Sequence, residues 1–361
     1  MSSHPVSIDL IKSKLHERID TLVPQLFPNA RIKGSEWVMG DVFGAPGDSL
    51  SIRRTGTKAG WWRDFAGTAR GDILTLIAAG ACDGDVKAAI PWALRWLGLG
   101  SMTAEELRRQ ERKAREAREA AEKRWASDVE KTRAKAKGLY LAGELWPGTM
   151  VERYLLGRSI DLMQLPDVPR APRFHGAVWN RESGGRELPA MLLPINQAET
   201  GQQLAVHRTW LQAHADGRVT KADLDDAKMS WGEFKGGHIP LNRGASGKPL
   251  KHAPEGEWIA VAEGAENGWS AAIIKPEWRV LAAVSIANLG EIVLPRQIGG
   301  LFLICDNDEK PDAIRAFGRA TSRLQERGLP FQPIRPPGGI KDFNDWLQAL
   351  QRQAGNTGRV A

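Results

Sequence analysis

Two short apolar runs in the C-terminal part of the chain end on carboxylates. Trp258 to Ala262 stops at Glu263-Gly264, and Leu301 to Cys305 stops at Asp306-Asn307-Asp308. Acids gathered without histidine or cysteine make a hard, oxygen-only site, which takes Mg²⁺ or Mn²⁺ rather than zinc or copper. An ion held this way polarises a phosphate, lowers the pKa of a hydroxyl and stabilises a leaving oxygen. The chemistry these residues point to is therefore metal-assisted phosphoryl transfer. Asp306 and Asp308 lie two apart, and an extended backbone points both the same way. A single acid at a strand end is more simply a helix N-cap or a solvated loop residue, so the case rests on Glu263, Asp306 and Asp308 together.

Short continuous apolar runs bounded by acids and glycine read as buried parallel strands. The pattern predicts strands at 258–262, 279–284, 301–305 and 331–334, with helices at about 265–274 and 312–327 and a terminal helix after PPGGIKDFND. This alternation implies a parallel sheet covered by helices. The carboxyl ends of such strands line the ligand crevice, so the acids converge at one edge. Asp342 arrives beside that crevice just before the last helix. It either helps hold a metal and positions Lys341 against a phosphate, or it caps the helix, and its place suits both.

The combination resembles the Toprim domain shared by bacterial-type primases, topoisomerases and some nucleases. The matching residues are the Glu-Gly of VAEGAEN and the Asp-x-Asp of LICDND, and Gly338 to Asp345 (GGIKDFND) is similar to the ending of phage and plasmid primases. The resemblance implies Mg²⁺, with Mn²⁺ as an alternative, held by Glu263, Asp306 and Asp308, with Asp342 contributing less directly.

The chain has 361 residues, enough for about two domains and their connections. Charged residues at 26% and apolar ones at 42% describe a globular protein, and no run reaches the length of a membrane span. The N-terminal MSSHPVSIDLIKSKLHERID shows no signal-peptide core, and Cys82 and Cys305 form no pattern, so a reducing cytoplasm is expected. A net charge of +7 is compatible with a polyanionic partner.

Residues 6–24 carry apolar positions at helical spacing. Glycines and alternation in the segment that follows suggest small antiparallel strands, and Gly71-Asp72 opens an amphipathic helix. Trp62-Arg63-Asp64-Phe65 with Gly71-Asp72 resembles the zinc-ribbon module of primases. A zinc ribbon needs four Cys or His ligands, and residues 29–81 hold none, so no zinc is expected. Arg53, Arg54, Arg63, Trp61 and Trp62 then have two readings. They form a basic, stacking surface for single-stranded nucleic acid, or the tryptophans are core and the cations a solvated face.

Residues 103–137, with hardly an apolar side chain, read as a long exposed helix of about 50 Å. The domains expected are 1–100 as a degenerate zinc-ribbon-like module, 101–137 as a charged helical linker, 138–251 as the first part of a primase-like core and 252–361 as the Toprim domain. The fold class is thus α/β at the C-terminus, preceded by an α+β primase-core subdomain and a small α+β N-terminal module. LWPGTMVERYLLGRSID is similar to the helix that opens the catalytic core of many primases, with Ser159 where a glycine is usual. PAMLLPINQAETGQQLAVHRTWL reads as two strands joined by a turn at Gly201. In phage and plasmid primases a comparable hairpin precedes the Toprim part, and the resemblance implies that Arg208 and Lys228 face template and nucleotide. Surface salt bridging is the plainer role for both, and His207 reads as a satisfied strand histidine.

Residues 242–249 echo a phosphate loop but lack its spacing, so no fused helicase motor is expected. Tyr140 and Tyr154 fall in packing helices, which demotes a topoisomerase nucleophile. The resemblance implies a primase-type nucleotidyltransferase of a phage, plasmid or mobile element, working on single-stranded DNA with nucleoside triphosphates and possessing, as an open expectation, a separate replicative helicase as partner. Two alternatives remain: a Toprim-type nuclease using the same acids, and a DNA-binding accessory protein whose catalysis has decayed.

Overall fold

The computed structural model describes residues 6–56, 59–65, 67, 69–307 and 310–357. The chain divides into two compact units, Met1–Trp125 and Ala126–Ala361. The division falls inside one long helix.

In the first unit, α1 (Ile8–Glu17) and α2 (Ile19–Leu26) precede an antiparallel meander of β1 (Arg31–Lys33), β2 (Glu36–Met39), β3 (Leu50–Arg53), β4 (Trp62–Asp64) and β5 (Arg70–Gly71). Residues expected as one helix form two, because Arg18 breaks the helical path between them. α3 (Ile73–Ala81) starts where the Asp72 carboxylate accepts the Leu74 and Thr75 amides, and α4 (Val86–Leu97) follows. The core of this unit is apolar, built from Leu10, Leu15, Leu22, Trp37, Ile52, Trp62, Ile73 and Ile77. α5 (Ala104–Ala142) runs past the end expected at residue 137, because Ala136, Leu139 and Tyr140 pack into a core of the second unit.

The second unit has two sheets. The first is antiparallel, in the order β10-β9-β8-β7-β6, built from β6 (Glu144–Leu145), β7 (Arg173–Trp179), β8 (Glu187–Asn196), β9 (Gln203–Ala213) and β10 (Val219–Lys221), with β11 (Lys228–Trp231) also pairing β9. α6 (Met150–Leu156) packs on it. At the end of α6, Ser159 has φ 62°, the left-handed conformation that explains why glycine suits this position.

The second sheet runs β12-β14-β13-β15-β16, comprising β12 (Ile239–Arg243), β13 (Glu257–Ala262), β14 (Arg279–Ala282), β15 (Ile298–Ile304) and β16 (Phe331–Ile334). The last four strands are parallel, as the continuous apolar runs predict, and β12 joins antiparallel at the edge. α7 (Ala265–Ile274) and α10 (Phe343–Thr357) lie against one face, while α8 (Ile286–Leu289) and α9 (Pro311–Glu326) cover the other. Gly268 lets α7 approach β12 closely: a Cβ there would stand 2.2 Å from Leu241 Cδ1. Met191, Leu193, Ile195, Ala205 and Leu211 of the antiparallel sheet share one core with Ala260, Ala262 and Val280 of the parallel one and with Trp269 of α7.

Candidate active site

The chain visits the parallel strands in the order β13, β14, β15, β16, while in space they lie β14-β13-β15-β16. The order reverses between β13 and β15, and in an open α/β sheet the ligand crevice forms outside the strands' carboxyl ends at such a reversal. Ala262 is in register with Ile304. Glu263 and Asp306 therefore follow the ends of neighbouring strands at this crevice, Glu263 level with Cys305 and Asp306 one residue further on. Asp308, the third acid expected there, lies outside the described residues.

Glu263 is exposed at the mouth, and its carboxylate accepts a hydrogen bond from the Ile286 amide. That amide opens α8, two residues after Val284, whose φ of 74° is a conformation costing on the order of 1–3 kcal/mol for a non-glycine residue. Crowding by protein raises the Glu263 pKa above the ordinary carboxylate value, and the Ile286 amide and the charge of Lys228 do not offset it. Asp306 Oδ1 accepts from Asn267 Nδ2 at 2.7 Å, and its backbone carbonyl accepts from Arg335.

The GGIKDFND segment is stitched to the end of β15 by Asn307. Its amide donates to the Lys341 carbonyl and its side chain to the Ile340 carbonyl, both at 2.8 Å. Lys341 and Asp342 thus stand beside Asp306, with Lys341 exposed. The Asp342 carboxylate accepts the Asp345 amide at 2.9 Å and caps α10. Asn344 is buried, donating to the Arg158 carbonyl at 2.8 Å and to Ser270 at 3.1 Å.

The two basic residues expected to act together, Arg208 on β9 and Lys228 on β11, lie on opposite faces of the antiparallel sheet. Thr209, in register with Lys228, is on the face turned to the parallel sheet, and Arg208 on the other. Lys228 Nζ lies 2.8 Å from Glu266 on α7. Arg208 is buried, with its guanidinium over Trp210 and Trp231, 4.9 and 5.8 Å from the ring centroids, and its Nε without a hydrogen bond. His207 bonds Ser230 at 3.0 Å, and burial together with the Lys228 charge pushes its pKa down to about 4. It is a neutral strand histidine.

Sequence reasoning missed Asn267, Glu266, Tyr154 and Lys221. A signal was present: α7 is apolar or small on every side except for Glu266, Asn267 and Ser270, and buried polar groups require partners. The partners come from other elements, Tyr154 donating to Glu266 at 2.8 Å.

The residues expected to bind nucleic acid belong to the first unit. Trp62 is 7% exposed and donates to the Asp72 carbonyl and Thr75, whereas Trp61 is 55% exposed. The two tryptophans therefore divide between the two readings: one is core, the other is free to stack. Arg63 lies over the exposed ring of Phe65 at 5.4 Å. Arg54 grips Asp20 with two hydrogen bonds of 2.6 and 2.9 Å, and Arg53 lies 3.8 Å from Glu36.

Among the described residues no group of three acids, histidines or cysteines stands close enough to hold an ion. Glu263 and Asp306 are two oxygen donors of the kind Mg²⁺ takes. Burial is the main cause of the raised Glu263 pKa, and a cation bound there would act against it. The donor set fits a divalent ion. Two cavities of about 450 and 350 Å³ meet at Asn196 of β8 and at Pro240, Asn242 and Arg243 of β12. Arg243 pairs with Arg279 at the start of β14, the end of the sheet away from Glu263.

Residues 258–352 match the family model of the Toprim domain. The chain carries a C-terminal Toprim domain. A second model, described only as a domain of unknown function (DUF7146), matches residues 130–241, ahead of the Toprim domain. No match was found among curated proteins. Solved structures that align with the chain include two of bacteriophage T7 proteins. The primase fragment of the bacteriophage T7 primase-helicase protein is 13% identical over 47% of this chain and 62% of its own, with a TM-score of 0.30. A bacteriophage T7 lagging-strand DNA polymerase structure with primase domains bound to an RNA/DNA hybrid and dTTP is 14% identical over 47% of this chain and 76% of the other, with a TM-score of 0.29. The chain thus spans less than two thirds of the T7 primase fragment, and superposition at this level transfers no residue role to the Toprim domain. Among the described residues no helix is long and apolar enough to cross a membrane.

Proposed function

We propose that the protein is a primase-like nucleotidyltransferase that makes short primers on single-stranded DNA from nucleoside triphosphates. The observation that supports this reading is that Glu263 and Asp306 follow the ends of adjacent strands at the switch point of the Toprim sheet, with the charge of Lys228 from the preceding antiparallel sheet acting on Glu263. Glu263 and Asp306, with Asp308, would hold Mg²⁺ or Mn²⁺. Such an ion neutralises phosphate oxygens and favours deprotonation of a hydroxyl.

The chain's own residues supply positioning and charge. Asn267 orients the Asp306 carboxylate, and the Ile286 amide orients Glu263. Lys228 and Lys341 contribute positive charge where phosphate charge redistributes, the largest electrostatic term such a site offers. In the first unit, Trp61, Phe65 and Arg63 would contact the template strand, bases stacking on the exposed rings. A separate helicase fits this role as partner.

The test is primer synthesis on single-stranded DNA with labelled nucleotides and Mg²⁺ or Mn²⁺, comparing the native chain with Glu263→Gln and Asp306→Asn. Short products lost in both variants are expected. Metal-dependent shortening of the template without products, lost in the same variants, would replace the reading with a nuclease. DNA binding without either activity would leave an accessory protein.

A further inference from the structure

The Ile286 amide that meets Glu263 belongs to α8, a single turn of four residues. A turn this short has no stability of its own and lies where its surroundings hold it. Asn288 does the holding. Its side chain is 5% exposed and works at both ends of the amide: Nδ2 donates to the carbonyls of Ala283 at 2.8 Å and Gly237 at 2.9 Å, and Oδ1 accepts the Gly236 amide at 2.8 Å. Its backbone amide donates to Ser285 Oγ at 3.2 Å.

Two of these contacts bear on the surroundings of Glu263. Ala283 donates its own amide, at 2.8 Å, to the carbonyl of Ala262, the residue before Glu263. Between Ala283 and Ser285 lies Val284 in its left-handed conformation, which persists only where the surrounding structure over-determines it. Asn288 ties the chain on both sides of that residue. The other anchor, Gly236-Gly237, lies in the connection between β11 and β12 and has no room for side chains. A Cβ would stand 2.8 Å from Val293 Cγ2 at Gly236 and 2.9 Å from Ile195 Cγ2 at Gly237. One buried amide side chain thus joins this tightly packed connection to the backbone that orients the acid.

We propose that Asn288 is a positioning residue for metal binding. It fixes the Ile286 amide against the Glu263 carboxylate and so sets the direction in which that carboxylate meets an ion. An asparagine that only stabilised the fold would leave ion affinity alone, so the two roles differ in what they move. The proposal rests on Glu263 and Asp306 as ligands of a divalent ion, and not on which phosphoryl-transfer reaction follows.

The first experiment measures Mn²⁺ binding to the full chain by electron paramagnetic resonance, for the native protein, Asn288→Ala and Asn242→Ala, each with its melting curve. Asn242 is the matched control. It is also buried, at 7%, and donates to the carbonyls of Pro276 at 3.0 Å and Trp278 at 2.8 Å, at the end of the sheet away from Glu263. Both variants should melt earlier than the native chain. Asn288→Ala should bind Mn²⁺ about tenfold more weakly, the scale for residues that orient metal ligands, and Asn242→Ala should bind like the native chain. The second experiment needs no variant to fold: amide hydrogen exchange of the native protein with and without Mn²⁺. Mn²⁺ should slow exchange at Ile286 and, through Asn288, at Gly236. The Ala245 amide, bonded to the Glu277 carbonyl at the far end of the sheet, should be unchanged. Native Mn²⁺ affinity in a folded Asn288→Ala, an equal loss in Asn242→Ala, or slowing at Ile286 without slowing at Gly236 overturns the positioning role. Mn²⁺ binding that Asn288→Ala weakens, in a chain that makes no primers, overturns the primase reading and leaves the role standing. Primer synthesis by Asn288→Ala with the native dependence on Mn²⁺ does the reverse, and Mn²⁺ binding undiminished in Glu263→Gln overturns both.

Discussion

Asn267 donates to Asp306 across 2.7 Å while its own carbonyl oxygen accepts the Asn344 amide at 3.3 Å. One side chain thus ties the acid that ends β15 to the first turn of α10. Hydrogen bonds to charged groups contribute about 1.5–3 kcal/mol, and 1.36 kcal/mol is a factor of ten in rate. Asn267→Ala should slow metal-dependent turnover by roughly ten- to a hundredfold, with little change in melting temperature. A native rate in single-turnover measurements would show that Asp306 needs no such anchor.

Glu266→Gln keeps the shape of the buried side chain and removes its charge. Lys228 and Lys221 are then left as neighbouring cations. Breaking a fully buried pair costs about 3–5 kcal/mol, and the partial exposure of both lysines reduces this to about 2–3 kcal/mol. The folded pKa of Glu266 is depressed, so its stabilisation is complete at neutral pH and is lost as pH falls through that value. Denaturant melts should therefore show a gap between native and variant at pH 7 that narrows under acid. A constant gap would mean that packing, not charge, causes the loss.

His238 is 3% exposed with no hydrogen bond at Nδ1, and burial pushes its pKa down to about 4. Between the ordinary histidine value and that figure the unfolded chain takes up a proton that the folded chain refuses. Stability present above about pH 6.5 should thus be lost as pH falls toward 4, by up to about 3 kcal/mol from this residue. His238→Asn should flatten that slope. An unaltered pH profile of melting temperature would exclude the histidine as its source.

Trp62 and Trp61 are neighbours in sequence and should separate completely in effect. Trp62→Ala removes a core ring from the first unit, a change that costs about 3–5 kcal/mol. Trp61→Ala should leave the melting temperature in place and weaken binding of a single-stranded oligonucleotide by about 1–3 kcal/mol, the size of one stacking contact. Fluorescence anisotropy and thermal melts on the same two variants check both halves. Unchanged oligonucleotide binding in Trp61→Ala would leave this ring a bystander.

The Toprim sheet was legible because its strands are continuous apolar runs ending in acids or turn residues, and a run of that kind has little freedom in what it becomes. The strands predicted at 258–262 and 331–334 are found at Glu257–Ala262 and Phe331–Ile334, and the helix predicted at 265–274 at Ala265–Ile274. Local chemistry also placed Asp72 and Asp342 before helices they cap. Ser159 was visible as a departure from glycine, and its positive φ gives the reason.

What sequence alone determined about this protein is therefore its periodic elements and the carboxylates at their ends, since burial period and capping act over a few residues. Tertiary structure alone decided which charges meet. Arg208 and Lys228 both precede the Toprim domain as cations on strands, yet strand alternation and pairing send one over Trp210 and the other to Glu266. Glu266 reads in sequence as one more first-turn acid, and it becomes the centre of a buried ionic cluster only because Tyr154, Lys221 and Lys228 reach it from three other elements. Coulomb interactions depend on distance and burial, and neither quantity is written in the spacing of residues along a chain.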